Sequence, residues 1–299
     1  SDNGSSDGFI EAGLMISLGI DFGTGNSVLA TYHGQASSVF QGVGRRGIVP
    51  SDVLIDSREF VDPRPDRLIA PPEGFKREVG VKRRLLSLTD GSGEREYLVR
   101  LAAARIRYIY DAYRSSAGDQ VAKTVLTCPA NTGQAYRDIL LQIGRRVGLP
   151  EVDIVDEPTA AAVHHGLSAD PTRNERWMVI DWGCGTCDVS LIERKANQPD
   201  LLVQCVRGDN DLGGVDMDAK LRDHLAERYH FEHILCSSWD VEPLKRRLSD
   251  VHDVSATLTL SNGREVDVEI SRAELEHLIE PLLTGARRLI REAMEEQHW

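Results

Sequence analysis

One short pattern occurs twice in the chain, and this internal repeat constrains the fold more than any other feature. The first copy is Gly19–Val28, GIDFGTGNSV, and the second is Val179–Val189, VIDWGCGTCDV. In each copy an apolar run ends in an aspartate and a bulky residue, a Gly-x-Gly turn follows, and a second apolar run begins. Because strand, glycine-rich turn and strand are the signal of a β-hairpin, the repeat predicts two similar hairpins, Leu18–Ala30 and Ile180–Ile192.

The residue types in both turns are suited to phosphate. Glycine lets the backbone approach a ligand closely, so N–H groups of the turn can face phosphate oxygens. Thr24 and Thr186 add hydroxyl donors, whereas Asp21 and Asp181 can hold a hydrated Mg²⁺ that neutralises the charge between them and a nucleotide. An ordinary glycine-containing hairpin would explain one copy. Two copies with aspartate at the same place favour a phosphate site, and we expect the hairpins to clamp a triphosphate in a cleft between two lobes.

Strand and helix patterns alternate in both halves, which predicts the α/β class. Helices are predicted at 97–115, from apolar spacing, and at 134–147 in the first half, and at 213–229 and 271–296 in the second, where the last begins with a capping box. A chain of 299 residues suggests about two domains. The prediction is a disordered tail or tag at 1–14, lobe I at 15–168 and lobe II at 169–299, with polar residues and a proline near the boundary as a linker.

Charge and cysteine content exclude several classes of protein. The formal net charge of −12 argues against nucleic acid and against anionic membranes as partners. No apolar run is long enough to span a bilayer. Five cysteines, an odd number, predict a reducing cytoplasm rather than a disulfide framework. Cys184 and Cys187 form a CxxC, but a zinc ribbon needs a second pair and a thioredoxin-like site needs a helix start, so we interpret them as two small side chains near a turn.

Three further segments extend the pattern: Val125–Leu149, Val155–Ala162, which contains DEPTAAA, and Gly208–Asp218, GDNDLGGVDMD. Together with the two hairpins, and in this order, they resemble the nucleotide-binding domain of the DnaK-type heat-shock chaperones, within the actin, hexokinase and chaperone superfamily. The resemblance runs from about Ile16 to Glu296. The EPTAA motif with 209–218 is typical of chaperones rather than sugar kinases or actins. The resemblance implies a bilobal actin-like ATPase fold, each lobe a mixed sheet with flanking helices.

The resemblance also implies a site for ATP or ADP with Mg²⁺. Asp21 and Asp181 would hold the metal through water. Lys82 would offset the γ-phosphate charge and orient the attacking water, and Glu157 would order that water and the metal hydration shell. With Asp181, Thr186 would complete the catalytic group by contacting the γ-phosphate. The phosphates would be held by Gly23, Thr24, Gly25, Asn26, Gly183, Gly185, Gly213 and Gly214. The adenosine would lie on Glu242, Lys245, Arg246 and Ser249, at i, i+3, i+4 and i+7 of one helix.

Each of these assignments has a structural alternative. Lys82 belongs to a basic run that also fits a solvated surface. Glu157 precedes Pro158 and also fits a favourable charge at a helix N-terminus. Glu242, Lys245 and Arg246 also fit an exposed, salt-bridged helix.

The sequence departs from the family pattern in both turns and at its end. Cys184 interrupts a run of glycines, and Gly25 stands where a second threonine is usual. Residues 52–98 predict a reduced small subdomain in lobe I. The chain ends where the family continues, so we expect lobe II to be incomplete and to be completed by a longer chain or a protein partner. The predicted function is an ATP-binding domain that hydrolyses ATP to ADP and phosphate if its site is complete. The alternatives are a non-hydrolysing binding or assembly module and a sugar-kinase-type phosphotransferase.

Overall fold

The computed structural model describes residues 16–34, 36–64, 72–88, 93–117, 121–166, 170, 172–198, 200–231, 238–260 and 262–299, with the backbone alone at 238–240. The chain forms two compact units, Ser1–Cys128 with Thr132–Val155, and Pro129–Asn131 with Asp156–Trp299. The predicted tail at 1–14 and the predicted boundary between 168 and 169 lie outside the described residues. The division into 15–168 and 169–299 therefore stays a prediction.

The first unit contains nine strands and three helices in its described part. In chain order they are β1 (Ile16–Phe22), β2 (Asn26–Tyr32), β3 (Ser37–Val39), β4 (Ile48–Pro50), β5 (Val53–Asp56), β6 (Val61–Asp62), β7 (Phe75–Glu78), α1 (Val81–Leu86), α2 (Arg95–Ala117), β8 (Val121–Cys128), α3 (Gln134–Val147) and β9 (Val152–Asp156).

The main sheet of the first unit has the order β3-β2-β1-β8-β9, with β4 also paired to β2. β1 is antiparallel to β2 and parallel to β8, which makes this sheet mixed as predicted. The core includes the apolar stripe of α2, where Leu98, Leu101, Ile106 and Ile109 are fully buried at helical spacing. α3 ends at Gly148, whose φ of +82° is a left-handed cap suited to glycine.

The second unit contains four helices and five strands in its described part. In chain order they are α4 (Glu157–His164), β10 (Glu175–Trp182), β11 (Cys187–Arg194), β12 (Leu202–Asp209), α5 (Gly214–Arg228), α6 (Ser238–Arg247), β13 (Asp253–Thr259), β14 (Glu265–Ser271) and α7 (Arg272–Gln297).

The larger of the two sheets in the described part of the second unit has the order β10-β11-β12, and α7 packs on β11 and β12. Both strand pairs are antiparallel. The prediction of a mixed sheet in each lobe is therefore wrong for the described strands of this unit, because consecutive strands joined by short connections pair antiparallel, and a parallel pair needs a long crossover. A second core joins α5, α6 and the β13–β14 hairpin.

Both units combine helices with β-strands, so the chain has the predicted α/β class. In the part of the chain that is described, no helix combines the length and apolar character needed to cross a membrane.

Candidate functional site

The first hairpin presents an aspartate at the end of a buried strand. Phe22 is buried beneath the turn at 2% exposure, whereas Asp21 before it is exposed, because successive strand residues point to opposite faces. The turn closes with a hydrogen bond of 2.9 Å from the Gly23 N–H to the Asn26 carbonyl. A Cβ placed at Gly23 would lie 2.5 Å from that carbonyl oxygen, so the tight turn requires glycine.

The tip of this turn keeps its donors available. The Gly25 carbonyl accepts a hydrogen bond of 2.8 Å from the Ser51 N–H, which fixes the turn from behind. Ser27 and Ser51 also share a buried hydroxyl hydrogen bond of 2.8 Å. Within the described residues, the N–H groups of Thr24 and Gly25 donate no hydrogen bond. Adjacent backbone N–H groups at a turn are suited to binding an anion.

Thr127 orients the carboxylate of Asp21. Its Oγ1 donates a hydrogen bond of 2.8 Å to Asp21 Oδ1 from the neighbouring strand β8. No local pattern in the sequence predicts this contact, since the two positions are 106 residues apart. The signal was indirect: Thr127 lies near the end of a strand that runs parallel to β1 and ends at the same sheet edge.

The second hairpin repeats the geometry of the first. β10 and β11 pair Asp181 with Asp188 and Trp182 with Cys187, and Gly183 N–H donates to the Thr186 carbonyl at 2.9 Å. Asp181 is exposed, as Asp21 is. A Cβ at Gly183 would lie 3.7 Å from the nearest atom, so this turn, unlike the first, has room for a side chain.

The start of α5 holds the second turn in place. The N–H groups of Gly214 and Val215 donate to the carbonyls of Gly183 and Cys184, at 3.1 and 2.9 Å. The Trp182 indole donates to the Leu212 carbonyl in the connection before α5. A Cβ at Gly213 would lie 2.5 Å from the Gly185 Cα, so glycine is required at this backbone contact. The predicted phosphate residues Gly183, Gly185, Gly213 and Gly214 therefore lie together.

The two cysteines of the second hairpin differ in burial. Cys187 is fully buried, and Cys184 is partly exposed. Burial, reinforced by the negative charges of Asp188, Asp181 and Asp209, raises the pKa of the Cys187 thiol to about 11. Since thiolate is the nucleophilic and metal-binding form, a thiol that stays protonated at neutral pH supports the structural interpretation of the pair.

Lys82 and Glu157 lie in different units. Lys82 is in α1 of the first unit and is only 5% exposed, so the solvated-surface alternative is wrong for it. Glu157 begins α4 of the second unit and is partly buried, with Asp156 in an extended conformation before it. A carboxylate in the first turn of a helix also stabilises that helix, so its position fits both interpretations.

The predicted adenosine helix ends before Ser249. α6 ends at Arg247, so the prediction that Ser249 shares its face at i+7 is wrong. Its end is fixed by Arg272, whose guanidinium donates to the carbonyls of Leu248, Ser249 and Val251. Arg246 is exposed and pairs with Glu242 at 3.7 Å. These two side chains remain available to a ligand on α6.

Lys245 does not share the solvent-exposed position of Arg246. Its Nζ donates to the Gly214 carbonyl at 2.8 Å and lies 2.7 Å from Asp218 Oδ1. Its side chain is 19% exposed. The ammonium group is thus directed at the start of α5.

Asp21 and Asp181 each present an exposed carboxylate, a group that a hydrated magnesium ion accepts as a ligand. No group of three or more His, Cys, Asp or Glu side chains in the described ranges could hold a metal by itself. Mg²⁺ usually keeps several waters and uses one or two carboxylates with phosphate oxygens. Asp21 and Asp181 are exposed at strand ends, one in each unit. Asp181 also lies opposite Asp188, a repulsive pair that a nearby cation relieves.

The chain is similar in sequence to known proteins of one family. The family model described as "Hsp70 protein" matches residues 89–298. The chaperone protein DnaK of Thermus thermophilus is 29% identical over 320 residues, which cover 93% of this chain and 51% of that protein. The DnaK of Halobacterium salinarum is 31% identical, with 85% of this chain and 40% of that protein covered. The chain spans about half the length of the curated relatives it matches.

Proposed function

The chain belongs to the Hsp70 family, as a nucleotide-binding domain of a chaperone-like protein, and we propose that it binds ATP or ADP with Mg²⁺ and hydrolyses ATP. One observation carries the proposal: two hairpins close with the same glycine hydrogen bond of 2.9 Å, and each presents an exposed aspartate beside its turn. Such turns offer N–H donors to phosphate oxygens, and the aspartates offer oxygen ligands to a hydrated cation.

Each part of the site has a separate role in this proposal. Thr24, Asn26 and the glycines of the first turn hold phosphate oxygens, and so do Gly183, Gly185, Thr186 and the Gly213–Gly214 pair. Glu242 and Arg246 cover the adenosine. Asp21 and Asp181 bind waters of the metal, and Mg²⁺ supplies neutralisation of phosphate charge when it is bound. ATP and water then give ADP and phosphate.

Lys82 and Glu157 would make the difference between binding and turnover. Lys82 is buried, and electrostatic interactions are strong where water is excluded, so a positive charge at this position would stabilise the negative charge of the transferring phosphoryl group. Glu157 accepts a hydrogen bond from the attacking water and orients it. Phosphoryl transfer depends mostly on such positioning and charge neutralisation.

Calorimetric titration of ATP with and without Mg²⁺, followed by measurement of phosphate release, tests the proposal. We expect Mg²⁺-dependent binding and slow release of phosphate. Lys82→Ala should abolish release while ATP still binds, and Lys195→Ala, which changes an exposed lysine, should alter neither. An absence of ATP binding would refute the proposed function.

The same assays separate the alternatives. Binding without phosphate release would favour a non-hydrolysing binding or assembly module. ATP consumption that a sugar stimulates would favour a phosphotransferase.

We also propose a protein partner and a reducing, cytoplasmic location. None of the described cysteines Cys128, Cys184, Cys187 and Cys205 forms a disulfide bond, which suits a reducing compartment. As a member of a chaperone family, the domain would act with client or co-chaperone proteins. Cell fractionation and affinity capture with and without ATP test these two points.

A further inference from the structure

One lysine links α6 to the start of α5. Lys245 Nζ contacts both the Gly214 carbonyl and the carboxylate of Asp218, at 2.8 and 2.7 Å. Asp218 is 4% exposed, so the ion pair lies largely inside the unit. Burial raises the pKa of Asp218, although the hydrogen bond and charge of Lys245 oppose that rise.

Gly214 continues this link to the second phosphate turn. Its N–H donates to the Gly183 carbonyl at 3.1 Å, while its own carbonyl accepts from Lys245. Gly213 beside it touches the Gly185 backbone so closely that a Cβ would not fit. One short path of contacts therefore runs from α6 through Lys245 and Gly214 to the turn at Gly183.

We propose that Lys245 and Asp218 are positioning residues, which hold α6 at a fixed distance from the second phosphate turn so that adenosine and phosphates are bound together. The inference rests on the proposed function and is the alternative to the direct adenosine contact predicted for Lys245. Two rigidly spaced half-sites bind a linked ligand more tightly than half-sites free to move apart, because the second contact forms without further ordering.

The alternative is that the ion pair only stabilises the unit. Removing one partner of a buried pair is strongly destabilising, whereas replacing both partners by apolar side chains is often neutral. A purely structural role therefore predicts that ATP affinity recovers whenever stability recovers. A positioning role predicts that the affinity stays low in an apolar replacement that is stably folded.

The test compares ATP with its two fragments, adenosine and inorganic tripolyphosphate, in competition binding with Mg²⁺. In Lys245→Met we expect the Kd for ATP to rise about tenfold, within the usual range of coupling between two sites. The Kd values for adenosine and tripolyphosphate should change less than about twofold. Asp218→Asn should give the same ATP-specific loss, and the double variant Asp218→Leu/Lys245→Met should lose no more than either single variant.

Controls and contrary outcomes are defined by the same measurements. Lys220→Ala, an exposed lysine on α5, should bind all three ligands as the unchanged protein does. Urea unfolding reports whether each variant is folded, and the double variant keeps the test valid if a single variant is not. An equal loss for adenosine would make Lys245 a direct adenosine ligand, and an equal loss for tripolyphosphate would make it a phosphate ligand. If Lys245→Met binds ATP as tightly as the unchanged protein, the positioning role is wrong but the proposed function stands. If the unchanged protein does not bind ATP, the proposed function itself is wrong.

Discussion

The two glycine hairpins share one sequence pattern but are held in place by different parts of the chain. In the first, Ser51 fixes the turn through the Gly25 carbonyl and Thr127 fixes Asp21. In the second, backbone N–H groups at the N-terminus of α5 donate hydrogen bonds to the carbonyls of Gly183 and Cys184. The repeat therefore specifies the local turn, whereas non-local elements specify where the turn lies.

The requirement for glycine differs between the hairpins as well. In the first it lies within the turn, because a Cβ at Gly23 would meet the Asn26 carbonyl at 2.5 Å. In the second, Gly183 has 3.7 Å of space, and the crowded position is Gly213 at the entrance to α5. A glycine that looks equivalent in sequence is thus not equivalent sterically.

Gly213→Ala should have the largest effect of the substitutions that probe this difference. The new methyl group would overlap the Gly185 backbone, and backbone cannot move aside as a flexible side chain can. We expect a loss of roughly 3 kcal/mol in the free energy of unfolding, at the upper end of overpacking costs, with weakened ATP binding. Urea denaturation measures the first effect and calorimetry the second.

Gly214→Ala is the matched control. Its Cβ would have ordinary contacts of 3.5 Å or more, and its position at the start of α5 suits alanine. Stability should change by less than about 0.5 kcal/mol. Equal losses in the two variants would contradict the steric account.

Gly23→Ala and Gly183→Ala compare the two turns directly. Because the methyl group at position 23 would strike a backbone carbonyl, we expect a loss of about 2 kcal/mol there and less than about 0.5 kcal/mol at position 183. Urea denaturation of both variants checks the difference. A larger loss of stability in Gly183→Ala than in Gly23→Ala would contradict the prediction that the first turn has the stricter requirement for glycine.

Cys187 and Ser27 occupy corresponding places after the two turns, and only the cysteine titrates. The pKa of Cys187 is raised to about 11, so its stabilising contribution is complete below the unfolded value near 9 and is lost as the pH rises toward 11. The slope should reach at most about 1.4 kcal/mol per pH unit. The free energy of unfolding, measured from pH 8 to 11 in the unchanged protein and in Cys187→Ala, isolates the contribution of this thiol. Identical pH profiles would show that Cys187 does not cause the loss of stability.

Local patterns predicted the elements well. The periodicity of 97–115 predicted α2, and Gly148 predicted the end of α3, because apolar spacing and glycine caps act over a few residues. The hairpins followed from the repeat, and their strands pair as expected. The Cys184–Cys187 pair was interpreted as structural from its place in a hairpin, which the raised pKa of Cys187 supports.

Contacts between distant segments could not be predicted in the same way. Lys82 lies in a run of basic residues, yet tertiary packing buries it. Ser249 was placed on α6 by spacing alone, but Arg272 from a later segment binds the carbonyls at the end of that helix. The link from Lys245 to Asp218 joins two helices whose sequences give no sign that they meet. Such contacts depend on how elements pack, and one sequence does not state that packing.

Thr127→Val should have a smaller effect than Gly213→Ala or Gly23→Ala, and it would show how far a supporting contact matters in the first hairpin. The substitution keeps the shape of the side chain but removes the donor to Asp21 Oδ1. Loss of one hydrogen bond is worth about 1 kcal/mol, which corresponds to a roughly fivefold weaker affinity for ATP with Mg²⁺. Thr124→Val on the same strand is the control, because within the described residues its buried hydroxyl has no hydrogen-bond partner. If both variants bind ATP with Mg²⁺ equally well, Thr127 does not position Asp21 for the metal, and the support of the first hairpin then reduces to the Ser51 contact with the turn.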